Sequence, residues 1–122
     1  MPIKILLVDD NENNLLSMEV ALEKSEYLFF RATSGRDALR ILLNEEDFSL
    51  ILLDVKMPIM DGYETAELIY QRDKLKHIPI IFITAITLRN NTNPNIIVKN
   101  GVSALIEAAR ELSIFVSAIQ NK

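Results

Sequence analysis

Three nearly unbroken apolar runs, each closed by acid or hydroxyl side chains, constrain this chain more than any other feature. Ile3-Lys4-Ile5-Leu6-Leu7-Val8 runs into Asp9-Asp10, Leu50 to Leu53 into Asp54, and Ile80 to Ile83 into Thr84. Parallel strands covered on both faces carry such continuous Val/Ile/Leu segments instead of strict alternation. In open α/β sheets, functional side chains gather just past the carboxyl ends of the strands. If these strands are neighbours, Asp9, Asp10, Asp54 and Thr84 converge on one small crevice. Nothing about folding requires three acids to meet there.

The segments between the runs read as helices and turns, so the order is an alternating α/β one. Asn11 to Asn14 offers caps for a helix through about Lys24, with Leu15, Met18 and Leu22 on one face. Tyr27 to Thr33 is aromatic and β-branched enough for a second strand. Ser34-Gly35 opens a second helix, Met57 to Gly62 is a loop punctuated by Pro58 and Gly62, and Tyr63 to about Leu75 is a third helix. Ile78 to Ile83 is the fourth strand. Residues Arg89 to Asn95 hold four Asn and Pro94, which suits a loop. Ile96 to Val98 then reads as a short strand ending at Lys99. From Ser103 to Gln120, Leu105, Ala108, Leu112, Phe115, Val116 and Ile119 form a helical stripe.

Bulk properties bound the function. The 122 residues make one domain, 1–122, and 49% hydrophobic with 25% charged residues is ordinary for a globular protein. With no cysteine there is neither a disulfide framework nor a thiolate metal site. The net charge of −4 and dispersed Lys and Arg give no basic surface, so direct nucleic-acid binding is not expected. No run has the length of a membrane span and no signal peptide is visible, so the expected location is cytoplasmic.

The acids themselves point to a chemistry. Two carboxylates 4 Å apart repel by roughly 4 kcal/mol at an effective dielectric near 20. Protonation or a hard cation relieves that repulsion. An all-oxygen site with open water positions suits Mg²⁺, which commonly works with phosphates. With the charge neutralised, a carboxylate can attack a phosphoryl group, and a hydroxyl and an ammonium are natural partners for its remaining oxygens.

With these parts assembled, the chain resembles a response-regulator receiver domain (CheY-like), the phosphoacceptor module of two-component signalling. The resemblance rests on Val8-Asp9-Asp10, Leu53-Asp54-Val55-Lys56-Met57-Pro58, Met60-Asp61-Gly62 and Thr84-Ala85, spaced 44 residues from Asp10 to Asp54 and 30 from Asp54 to Thr84. It implies a doubly wound, flavodoxin-like five-stranded parallel sheet of order 2-1-3-4-5. Carried over, Asp54 is the phosphoacceptor. Asp10 and Asp54 ligate Mg²⁺, Asp9 does so through water or directly, and Lys56 lends its backbone carbonyl. Thr84 binds the phosphoryl group on switching, and Lys99 is the candidate phosphate-binding lysine. The implied partners are a histidine kinase or phosphotransfer protein and a downstream effector, with a homodimer among the options. The module is a phosphoacceptor rather than a turnover enzyme.

The chain also departs from the family pattern. Receivers usually end strand five with Lys-Pro, and this chain has no such pair. One alignment sets Gly101 before strand five and places Ala108-Ala109 at the Lys-Pro position; the other makes Ile96 to Val98 the strand and Lys99 the lysine. The second is favoured, because Leu105 belongs to the helical stripe. It leaves 11 residues between Thr84 and Ile96, so the fourth helix is expected to be shortened or absent. The usual aromatic switch position holds Ile96, or Leu105 in the other alignment. Two rival functions remain. A phosphatase- or phosphomutase-like enzyme would need a second Asp where Lys56 stands, and a pseudo-receiver would act as a docking or dimerisation module without phosphorylation. Asp61 reads as a helix cap, His77 as solvated, and Met57 and Met60 as packing.

Overall fold

The computed structural model describes residues 3–23, 25–84 and 96–100, with Ala21, Thr84 and the last five described by backbone alone. The apolar runs form strands β1 (Ile3–Val8), β3 (Phe48–Asp54) and β4 (Ile80–Thr84), joined by β2 (Tyr27–Ala32) and β5 (Ile96–Asn100). All neighbours are parallel, and the order is β2-β1-β3-β4-β5. Three helices occur among the described residues: α1 (Glu12–Leu22), α2 (Gly35–Asn44) and α3 (Gly62–Tyr70).

Side-chain alternation along the central strands divides the core in two. Ile5, Leu7, Leu50, Leu52 and Ile81 face Leu15, Met18 and Leu22 of α1. Leu6, Val8, Ile51, Leu53, Ile80 and Phe82 face Ala38, Ile41 and Leu42 of α2 and Ala66 and Ile69 of α3. Apolar residues at both parities are therefore buried, which is why the runs are continuous instead of alternating.

Each helix begins where its cap chemistry is strongest. Asn11 caps α1 through its side chain to Asn13 N and Asn14 N, and Ser34 caps α2 through Asp37 N. Asp61 caps α3 in a reciprocal box with Glu64, the role its sequence position suggested.

The ends of some elements differ from expectation. Helix α3 stops at Tyr70, short of Leu75, and β4 starts at Ile80 instead of Ile78. Four-residue turns connect them, with Arg72 N donating to Ile69 O, Leu75 N to Arg72 O and Ile78 N to Leu75 O. Leu75 and Ile78 are both buried, so they mimic the stripe of a continuing helix although the chain is already turning. Strand β3 extends beyond Leu50–Leu53 at both ends, entering through Asp47 at φ 67°. The last strand is Ile96–Asn100, which supports the alignment that ends strand five near Lys99. The expected reduction of the fourth helix, the helix from Ser103 to Gln120, Ala85 of the Thr84-Ala85 motif and the position of Ala108-Ala109 lie outside the described residues.

Candidate functional site

The sheet order creates the site. Strands β1 and β3 are adjacent with Val8 opposite Leu53, so the residues that follow, Asp9 and Asp54, emerge side by side at the carboxyl edge. Asp9, Asp10 and Asp54 each bring one carboxylate oxygen within 4.8 Å of the others. The register continues outward: Asp54 is opposite Ile83, and Ile83 is opposite Lys99. Thr84, opposite Asn100, ends β4 one residue beyond that row. Backbone register thus brings β4 and β5 to the same edge as the acids, while the side chains of Thr84 and Lys99 lie outside the described residues.

The three acids differ in surroundings. Asp9 is buried at 6% exposure, Asp54 is intermediate and Asp10 is open to solvent. Asp9 accepts from Asn11 N at 2.9 Å and from Asn14 Nδ2 at 3.2 Å. Burial pushes its carboxyl above the usual range, and those two hydrogen bonds pull partly against the shift. Asp54 is pushed up to about 6, mainly by burial and then by the charge of Asp9. Its weak hydrogen bond from Lys56 N, 3.4 Å long, opposes this. Burial first, and the neighbouring carboxylates after it, thus work against ionisation of Asp9 and Asp54.

The donor set fits a hard divalent cation. It offers oxygen only, three negative charges within reach of one ion, and one exposed member that leaves room for water. Beside Asp10, a shallow crevice lined by Asn11, Glu12, Asn13 and Thr33 opens to solvent.

The loop after Asp54 is held from both ends. Gly62 N donates to Val55 O at 2.8 Å, and a Cβ at Gly62 would overlap the Asp54 carbonyl oxygen and lie 2.8 Å from Val55 Cα. Only glycine allows α3 to start this close to the acid-bearing strand. Ile59, within this loop, has φ 70° and its side chain entirely in water. Lys56 is exposed, and its backbone N–H is directed at Asp54.

One participant was not singled out by sequence reasoning. Asn14 was read only as one of several candidate caps, yet its amide reaches back to Asp9. Its signal is an amide in the first turn of the helix that directly follows an acid pair. His77 is exposed and lines a cleft with Leu42, Phe48 and Arg72, distinct from the acid cluster. No helix among the described residues is long and apolar enough to cross a membrane.

Comparison with known proteins agrees with this geometry. The family model for the response regulator receiver domain matches residues 5–107. The polar-differentiation response regulator DivK of Brucella anthropi is 31% identical over 121 residues, covering 99% of this chain and 96% of DivK. The receiver domain of sensor histidine kinase PA1611 from Pseudomonas aeruginosa superposes with a TM-score of 0.81 at 25% identity, over 96% of this chain and 99% of that one. That structure has a magnesium ion coordinated in its active-site cleft. The phosphorylated cyanobacterial phytochrome response regulator RcpA shares the fold, with a TM-score of 0.74 at 24% identity over 98% and 96% of the two chains. The chain belongs to the response-regulator receiver-domain family, the signalling modules of two-component systems.

Proposed function

We propose that this domain accepts a phosphoryl group on Asp54 from the phosphohistidine of a histidine kinase or phosphotransfer protein, with Mg²⁺ bound at the acid cluster. The observation that carries the reading is the convergence of Asp9, Asp10 and Asp54 at the joint end of β1 and β3. Asp10 and Asp54 would hold the ion directly with the Lys56 carbonyl, and Asp9 directly or through water. The ion supplies neutralising charge for the acids and for the phosphoryl oxygens.

Asp54 suits the nucleophile's role because it is half-buried and raised to about 6, which leaves it basic yet largely ionised at pH 7. One of its oxygens forms a bond to phosphorus as the P–N bond of the phosphohistidine breaks. The bonding pair leaves with the imidazole, which takes up a proton. Thr84 and Lys99, at the ends of β4 and β5, are the proposed hydroxyl and ammonium partners of the phosphoryl oxygens. A downstream effector reads the change.

Two measurements test this reading. Acetyl phosphate should add one phosphoryl group, read by intact mass, and a chelator should stop the labelling. Mg²⁺ at 100 times its dissociation constant should add about 2.7 kcal/mol of stability, since the unfolded chain has no such cluster. Asp10→Ala should erase that thermal response. Labelling that persists in chelator, or a full Mg²⁺ response in Asp10→Ala, refutes the assignment. A wild type that neither binds Mg²⁺ nor accepts phosphate would be a docking module.

A further inference from the structure

We propose that Asn14 is a positioning residue of the acid cluster, fixing Asp9 by its side-chain amide so that Asp9 faces the hydration shell of the bound cation. The inference rests on the metal reading above and adds a residue to it.

The start of α1 departs from the start of α3 in a telling way. At α3, the acid at the third helical position, Glu64, folds back to the backbone N–H of the cap residue Asp61. At α1, the N–H of the cap residue Asn11 is instead taken by Asp9 Oδ1 at 2.9 Å. The third helical position, Asn14, is thereby released from capping duty. Its Nδ2 donates to the other oxygen of the same carboxylate, Asp9 Oδ2, at 3.2 Å.

Asp9 is therefore held through both oxygens by donors from one helical turn. The oxygen of the Asn11 side chain is occupied by Asn13 N and Asn14 N. The backbone of Asn14 is pinned by that same cap and by Asn11 O. A carboxylate at position 14, the counterpart of Glu64, would aim a fourth negative charge at Asp9 in place of a donor. An amide meets the requirement without adding charge. Each Asp9 oxygen keeps a second lone pair, which can accept from cation-bound water. Outer partners that orient ligands in this way typically contribute 10- to 100-fold in metal affinity.

The test compares Asn14→Leu, which keeps the size and removes the donor, with Asn13→Leu, a change at the exposed neighbour. Asp10→Ala serves as the metal-site control. Metal-free melting temperature and the Mg²⁺ dissociation constant are measured for each, the latter from amide chemical shifts. Asn14→Leu should weaken Mg²⁺ binding about ten-fold. Its metal-free melting temperature should match that of Asn13→Leu, and Asn14→Gln should recover part of the affinity by keeping an amide on a longer arm. An unchanged dissociation constant in Asn14→Leu overturns the proposal while leaving the metal site intact. So does a metal-free melting temperature that falls far below that of Asn13→Leu, the mark of a helix-start role alone. Wild-type protein that takes up no Mg²⁺ overturns both the metal reading and this inference.

Discussion

Asp54→Asn should take up no phosphoryl group and, in metal-free buffer at pH 7, should melt above the wild type. The first effect follows from removal of the proposed nucleophile. The second follows from the charge that the folded site must tolerate. Asp54 is raised from 3.8 to about 6 by burial and by the neighbouring Asp9. At about 1.4 kcal/mol per pH unit the full shift corresponds to about 3 kcal/mol, which solvent at this half-buried position reduces to roughly 1–2 kcal/mol. Asparagine keeps the oxygen that accepts from Lys56 N while discarding the charge. A domain of this size should gain roughly 3–8 °C.

The sign sets the pH dependence. A carboxylate whose folded pKa lies above its unfolded value favours the fold when protonated. That contribution is fully present below 3.8 and is lost as pH rises through about 6. The gap between variant and wild type should therefore be widest above pH 6 and close towards pH 4. Saturating Mg²⁺ should narrow it at pH 7. Melting curves at pH 4, 5, 6 and 7.5 check this, and a gap that widens on acidification would refute the account.

Gly62→Ala should destabilise the fold by about 2–4 kcal/mol, although alanine ordinarily improves a helix by about 1 kcal/mol over glycine. The added carbon would meet the Asp54 carbonyl and Val55 Cα, which are backbone atoms of the strand that carries the acid. Relief requires moving either the start of α3 or the end of β3. Either movement lengthens the Gly62 N to Val55 O hydrogen bond and tilts Asp54, so the acetyl phosphate labelling rate should fall together with stability. Gly35→Ala is the informative comparison. Its new carbon meets the side chains of buried Thr65 and of Met60 instead of the backbone of β3. It should also cost stability, because the Thr65 hydroxyl that bonds Asp61 O must shift, yet leave labelling nearly intact. Equal labelling rates in Gly62→Ala and wild type would show that Asp54 does not depend on this close approach.

Much of this architecture is written in local pattern. The runs Ile3–Val8 and Ile80–Thr84 are strands because two covered faces demand continuous apolar sequence. Asp61 and Ser34 cap helices because their short side chains reach the free N–H groups of the first turn. The acid cluster was legible because three such strands end in acids or a hydroxyl at family spacing. Other features depend on tertiary geometry. The stop of α3 at Tyr70 was hidden by Leu75, whose burial satisfies helix and turn alike. The left-handed backbone at Ile59 runs against the preference of a β-branched residue, so local pattern gives no sign of it. The bond from Asn14 to Asp9 depends on which of several adjacent asparagines takes the cap, a choice made by backbone angles.

The chain passes from β2 across β1 to reach β3, so the acid cluster is a product of long-range strand pairing. Asp10 and Asp54 are 44 positions apart in sequence and meet only when the two central strands pair. Among the described residues, no single helical turn or adjacent pair of elements in sequence brings Asp54 to Asp9 and Asp10. An ion bound there is released whenever that pairing opens, however local the opening is elsewhere. Amide hydrogen exchange in β1 and β3 should consequently slow together when Mg²⁺ is added, by the same factor at Leu6 and Leu52. Exchange in the turns from Gln71 to Lys76 should keep its metal-free rate, because those turns can open while the acids stay joined.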